Sequence, residues 1–271
     1  MISSLVGLFL GSLPPSFLRK VGFKCLRFSS GEFRAFTELF IPPYDSWIDW
    51  KSGLGNSVFV LHALVRALVP DVVVEIGSAR GRSTCALALA CRQNGRGKVY
   101  AIDPHTLNSW TDLGSDGDNE PFLRTRLRDY GLDAWCHVIR ATSADAAKTW
   151  SKPIDFLFID GDHTLEGVRS DFEGFQPWLT KHSLVAFHDS TWEHYKNHPG
   201  YREDIGVPKY MHELQQAGYH SITLGKWPGL TVLHGQPGGF TFLPACTDDE
   251  RAQMIMYNPS RKVTGEDARL R

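Results

Sequence analysis

The feature that most constrains this chain is an alternation that begins near residue 56 and runs into the late 180s. Helical periodicity gives way to a short apolar or alternating run, and the cycle repeats. Ser57 to Leu68 reads as helix and is stopped by Pro70, and Val72 to Ile76 reads as the first strand. Ser83 to Cys91 is a helix rich in Ala and Leu, followed by a strand from Lys98 to Ile102 that ends at Asp103. The same reading gives helix Pro121 to Tyr130, strand Trp135 to Arg140, short helix Ser143 to Trp150 and strand Ile154 to Ile159. A crossover through Leu165 to Leu179 then leads to a fifth strand, Leu184 to Phe187. Because such crossovers are right-handed, all five strands can lie parallel in one sheet with helices on both faces.

After the fifth strand the pattern changes. A helix from Pro208 to Ala217 precedes strands Tyr219 to Leu224 and Leu230 to His234, and five residues between them cannot hold a crossover helix. These two strands must form an antiparallel hairpin. The expected fold is therefore α/β, a doubly wound Rossmann-like sheet, mostly parallel with a C-terminal antiparallel hairpin. Residues 1–55 read as an N-terminal arm and helical cover, 56–235 as the catalytic domain and 236–271 as a tail.

Charge and cysteine content narrow the partners. Lys and Arg number 29 against 30 Asp and Glu, scattered, so no long-range field draws a nucleic acid onto the fold. Five cysteines without a C-x-x-C pair fit a reducing compartment, so the protein is expected in the cytoplasm. The apolar stretch Met1 to Leu13 is too short to span a bilayer, and the basic residues follow it rather than precede it as in a signal peptide. It reads as an arm on the body or on a second subunit of a homo-oligomer, or as a membrane-surface helix.

Two constellations carry chemistry. Glu75-Ile76-Gly77-Ser78-Ala79-Arg80-Gly81 lies at the tip of the first strand, where glycines allow a tight turn and let a ligand approach backbone at a helix N-terminus. It is not the dinucleotide fingerprint, because Ala79 takes the second glycine position and Gly81 arrives one residue early. Asp103, closing the second strand, can accept hydrogen bonds from two ribose hydroxyls, while a turn glycine and a capping aspartate would explain the pair without a ligand. Together these residues resemble the first motif, E/D-x-G-x-G-x-G, and second-strand acid of class I S-adenosylmethionine-dependent methyltransferases. The resemblance implies that Glu75, Gly77, Ser78 and Gly81 line the methionine portion and that Asp103 takes the ribose. Ser143, Ala144 and Asp145 fall where that fold reads adenine, although a Ser N-cap explains Ser143 equally well.

The second constellation is Asp160-Gly161-Asp162-His163, closing the fourth strand, with His188-Asp189 closing the fifth. So many titratable groups at neighbouring tips are either solvated or organised around a cation or a substrate proton. Asp160, Asp189 and His188 could share a divalent ion, a donor set that suits Mn²⁺ somewhat better than Mg²⁺. The run I-D-G-D-H-T-x-E-x-V-x-x-D-F, then W-L, then F-H-D, resembles the small-molecule and sugar O-methyltransferases that include macrolide-sugar enzymes. In metal-dependent members the matching acids, here Asp160 and Asp189, hold Mg²⁺ and the matching histidine, His163, is the base, with Asp160 beside it. His188 stands where such members carry a second acid. His163 could instead cap or brace the following helix.

The expected activity is methyl transfer from S-adenosylmethionine to a hydroxyl of a small molecule or glycosyl unit, assisted by a divalent metal. A nicotinamide dehydrogenase and a non-catalytic cofactor-binding scaffold are the alternatives. Trp110 lies in a long loop after the second strand, residues 104–120, and Trp192, His194 and Tyr195 in another after the fifth, residues 190–204; they either stack on the acceptor or pack the loops themselves. Ile41-Pro42-Pro43-Tyr44 resembles the tetrad of amine methyltransferases but lacks its amide or carboxylate and reads as a proline-rich turn. The whole reading fails if Asp103 lies on the opposite edge of the sheet from Asp160 and Asp189, or is buried beneath packed side chains.

Overall fold

The computed structural model describes residues 52–106, 118–197, 201–224 and 229–238. All but the last four residues of the expected N-terminal arm and cover, the Ile41–Tyr44 turn, Trp110 and all but the first three residues of the expected C-terminal tail lie outside that set. Helix α1 (Ser57–Leu68) is followed by β1 (Val72–Ile76), α2 (Arg82–Asn94), β2 (Lys98–Asp103), α3 (Glu120–Asp129) and β3 (Cys136–Arg140). Then come α4 (Ser143–Thr149), β4 (Ile154–Ile159), α5 (Leu165–Phe175), β5 (Leu179–His188), α6 (Val207–Gln216), β6 (Ser221–Leu224) and β7 (Leu230–His234).

The strands form one seven-stranded sheet in the order β3-β2-β1-β4-β5-β7-β6. β1 to β5 pair in parallel, and β7 lies antiparallel to both β5 and β6. The chain winds outward from β1 through β2 to β3, then crosses back to β4 and β5, so β1 and β4 flank the topological switch point where open α/β sheets take their ligands. This is the expected architecture.

Alternation along the strands builds two cores. Val73, Val99, Ala101, Phe156 and Phe158 pack toward Leu61, Val65, Leu87 and Leu123 on one face. Val74, Ile102, Leu157, Val185 and Phe187 pack toward Ala146, Phe172 and Tyr210 on the other. Central parallel strands covered on both faces read as nearly continuous apolar runs, as Val72 to Ile76 does apart from Glu75 and Ile154 to Ile159 apart from Asp155.

Two elements differ from the expected bounds for identifiable reasons. β5 starts at Leu179 rather than Leu184, because three extra residues bulge between its pairings with Ile154 and Phe156. Ser183 stitches that bulge, its hydroxyl accepting from the Thr180 amide at 2.7 Å and donating to the Ile154 carbonyl at 2.5 Å. The polar sequence Thr180-Lys181-His182-Ser183 therefore hides the start of a strand. α2 runs on to Asn94, whose amide donates to the Val65 carbonyl of α1 at 2.9 Å. Gly95, at φ +66°, ends it.

Candidate active site

The tip of β1 is shaped by residues that only a narrow range of side chains could replace. Gly77 has φ +85°, and a Cβ there would lie 2.1 Å from the Asp160 carbonyl oxygen, so the turn after β1 fits against the end of β4 only as glycine. Ala79 adopts φ +41° where the resembled motif carries glycine, so the turn keeps its left-handed backbone at a steric cost. Asp103 holds that turn in place, Oδ2 accepting the Ala79 amide at 2.8 Å and Oδ1 accepting the His105 amide at 2.6 Å. Its side chain is only partly buried, and each oxygen keeps a lone pair for a further donor.

Beneath the turn lies Glu75, with no solvent exposure. Thr84 of α2 donates its hydroxyl to Oε2 at 2.5 Å, while Oε1 has no hydrogen-bond partner. Burial is the main reason its carboxyl is pushed up to about 8, and the nearby Asp160 and Asp103 carboxylates add to the shift against the pull of the Ser83 and Thr84 hydroxyls. The Ser78 hydroxyl is also buried and unpartnered. Ser83 and Thr84 were read from the sequence only as helix formers, and their proximity to Glu75 follows from α2 starting directly over β1.

The second cluster stands on the tips of β4 and β5. The Asp160 amide donates to the Ile76 carbonyl at 2.9 Å, which ties the β4 tip to β1. His188 Nδ1 lies 3.1 Å from Asp160 Oδ1 and 3.3 Å from Asp189 Oδ2, and His163 Nε2 lies 3.3 Å from the same Asp189 oxygen. Burial works against a charge on His188, yet the two carboxylates outweigh it and hold the imidazole well above its usual range. Burial likewise raises Asp189, and the His188 imidazolium overrides it, leaving that carboxyl below its ordinary value. Asp189 has φ +55°, a left-handed conformation that aspartate tolerates better than most residues.

Asp160, His163 and Asp189 each offer one ligand atom, all within 4.8 Å of one another. His188 bridges the two carboxylates from the buried side, and His163 lies against Asp189 from the more open side.

The third tip follows β3. Here the cap is Thr142 rather than Ser143, its Oγ1 accepting the Asp145 amide at 3.1 Å. The N-cap explanation of Ser143 is thereby withdrawn: its hydroxyl donates instead to Asp171 Oδ1 of α5. Ala144 is exposed. Asp145 is exposed too, with Lys148 2.8 Å away holding its carboxyl below the usual range. In the loop after β5, Trp192 and Tyr201 lie parallel, 10° between planes and 6.4 Å between centroids, so Trp192 packs the loop itself. His194 is exposed, and the Tyr195 side chain lies outside the described set.

In register, Asp103 pairs with Arg140 across β2 and β3, and Ile76 pairs with Ile159 across β1 and β4. Asp103, Asp160 and Asp189 thus share the C-terminal rim of one parallel sheet, with the switch point between them.

Residues 74–190 match a family model described as a methyltransferase domain. The matched segment runs from within β1 to just past the end of β5 and carries Asp103, Asp160 and Asp189. An uncharacterised protein, y4gI, of Sinorhizobium fredii is 26% identical over 185 residues, covering 65% of this chain. The chain spans about a fifth of the length of that curated relative, 19%. Among solved structures, the S-adenosylhomocysteine-bound methyltransferase PaMTH1 of Podospora anserina superposes with a TM-score of 0.54 at 15% identity, covering 82% of this chain and 97% of that one. The O-methyltransferase TomG of Streptomyces achromogenes, bound to S-adenosylmethionine and involved in tomaymycin synthesis, gives 0.53 at 17% identity over 82% and 96%. An O-methyltransferase of Bacillus cereus with S-adenosylhomocysteine gives 0.55 at 14% over 81% and 97%. At these identities the likeness is one of fold.

Proposed function

We propose that this chain transfers a methyl group from S-adenosylmethionine to a hydroxyl of a small molecule or glycosyl unit. The observation that carries the reading is the division of one rim into two acidic halves: Asp103 and Glu75 on the β2 and β1 side, Asp160 and Asp189 on the β4 and β5 side. A sulfonium cofactor suits such a rim, because a ribose diol matches the Asp103 acceptors and the polar amino acid end has Glu75 and Ser78 to meet, both buried with an unpartnered oxygen. Ser143 and Asp145 stand where the adenine ring would end. The neighbouring proteins with S-adenosylmethionine or S-adenosylhomocysteine bound support the donor. TomG and the Bacillus cereus protein, both O-methyltransferases, support oxygen as the acceptor atom.

The sulfonium methyl is already activated, so the protein's work is to hold an acceptor oxygen in line with it and remove that oxygen's proton. His163 is the base. The contact of its Nε2 with Asp189 favours the tautomer carrying hydrogen on that nitrogen, which leaves Nδ1 to take the proton. Asp189 in turn stabilises the imidazolium that forms. Asp160 and Asp189 would hold a divalent cation, each offering a carboxylate oxygen, the two within 4.8 Å of one another. Bound there, the ion would lower the pKa of the acceptor hydroxyl.

Calorimetric titration with S-adenosylhomocysteine tests the donor half. Wild type is expected to bind it, and D103A to lose at least tenfold in affinity through the two ribose contacts, each worth about 1 kcal/mol. Binding of NAD in place of S-adenosylhomocysteine, or of neither, overturns the reading.

A further inference from the structure

Asp171 of α5 is a charged residue with 3% exposure, on the face that also buries Val168, Phe172 and Phe175. Neither the cofactor contacts nor the proton transfer described above uses it, and a buried carboxyl persists only where something compensates its desolvation. Its two oxygens reach two different tips of the rim. Oδ1 accepts the Ser143 hydroxyl at the start of α4. Oδ2, without a hydrogen-bond partner, lies against the turn after β4, where a Cβ on Gly161 would approach it to 2.7 Å. Burial, with the neighbouring Asp162 carboxylate, pushes the Asp171 carboxyl up to about 6, against the pull of the Ser143 hydroxyl and of His163. α4 and α5 pack on one another, Gly174 being close enough that a Cβ there would meet the Ala147 side chain at 3.1 Å. The bridge from Ser143 to Gly161 therefore runs through a rigid joint.

The consequence is directional. A serine hydroxyl has one hydrogen, and here it is spent on Asp171, so what Ser143 offers the rim is lone pairs only. A base edge facing Ser143 must then bring a donor. An exocyclic amine fits, and a carbonyl at the same place sets acceptor against acceptor.

We propose that Asp171 is a positioning residue that fixes the Ser143 hydroxyl as an acceptor, so that the cofactor site selects a 6-amino purine over a 6-oxo purine. This rests on the assignment of the rim to S-adenosylmethionine. It reaches beyond it in naming a residue that sets base selectivity without touching the base, while bracing the turn that carries His163.

The test compares S-adenosylhomocysteine with S-inosylhomocysteine by calorimetry in wild type, S143A, D171N and the double variant, with a thermal melt of each. Wild type is expected to favour the amino form by about tenfold or more, the difference between a matched and a mismatched buried hydrogen bond. S143A removes the acceptor, and D171N supplies an amide that can donate to Ser143 and turn its hydroxyl outward. Each should cut the selectivity to about twofold, and the double variant should lose no more than either single one. A merely structural Asp171 would lower the melting temperature and leave the ratio unchanged, and that result overturns the proposal. So do independent, multiplying losses in the double variant. Should D171N not fold, S143A decides alone, since retained selectivity there removes the acceptor role. Failure of wild type to bind S-adenosylhomocysteine sinks the cofactor assignment and this proposal with it, whereas wild-type binding without selectivity sinks this proposal only.

Discussion

Glu75 illustrates how far a single residue's chemistry departs from what its letter suggests. In sequence it is an acid inside an apolar strand, legible as part of a motif because it interrupts Val72 to Ile76. Its complete burial follows from α2 covering it, which residue order alone does not reveal. With a carboxyl raised from 4.5 to about 8, the native state holds a proton on it that the unfolded chain has released. Between those two values the unfolded state binds fewer protons, so this group's contribution to stability falls as pH rises and is fully present only below about 4.5. Replacing Glu75 by Gln removes the titration. Urea unfolding should show E75Q gaining on the order of 4 kcal/mol relative to wild type between pH 5 and pH 8.5. Parallel profiles for the two proteins would show that Glu75 is already ionised in the fold. Ser143 and Asp171 mark the opposite limit of legibility. Their letters fit an N-cap and a polar helix face, and only the tertiary approach of α4 to α5 joins them.

Elements were legible where a short-range rule fixes them and obscure where packing does. The nearly continuous apolar runs of β1 and β4 identify central parallel strands, and the five-residue link before Leu230 identifies the hairpin. That β7 rather than β6 takes the inner place beside β5 follows from burial: Leu230 to Leu233 are covered, whereas Ile222 to Leu224 stay exposed at the edge. The expected single crossover of Leu165 to Leu179 splits at Phe175, because Pro177 turns the chain through a 3₁₀ turn before β5. α5 itself is anchored by Phe172, whose ring lies 5.7 Å from Phe187, 6.1 Å from Tyr210 and 5.8 Å from Tyr219, centroid to centroid. Truncating it to Ala removes the shared neighbour of a strand, a helix and the start of the hairpin. F172A should lose about 3–5 kcal/mol in urea unfolding at unchanged m-value. A loss under about 1 kcal/mol would mean that α5 is held chiefly by its polar contacts.

At the scale of the whole molecule the fold separates two tasks along one rim, and that separation can be measured. Asp160 belongs to the β4 and β5 half, where its carboxylate faces His188 and converges with His163 and Asp189. Asp103, the proposed ribose acid, stands two strands away on β2, held by the backbone amides of Ala79 and His105 rather than by anything from β4. The halves touch through backbone, the Gly77 turn against the Asp160 carbonyl, which an Asp160→Asn substitution leaves in place. D160N removes one of the two proposed carboxylate ligands and part of the field that holds the His188 imidazole above its usual range. Mn²⁺ binding, read by electron paramagnetic resonance, should weaken at least tenfold in D160N, in line with the loss of a charged ligand. S-adenosylhomocysteine affinity should stay within about threefold of wild type, since Asp103 shares no hydrogen-bond partner with Asp160 and the two meet only through the field at Glu75. Wild type that binds no Mn²⁺ would leave the buried His188 imidazolium as the positive charge of that half and His163 to act without a metal. Comparable loss of both ligands in D160N would mean that the rim works as a single site, contrary to the division that its strand order implies.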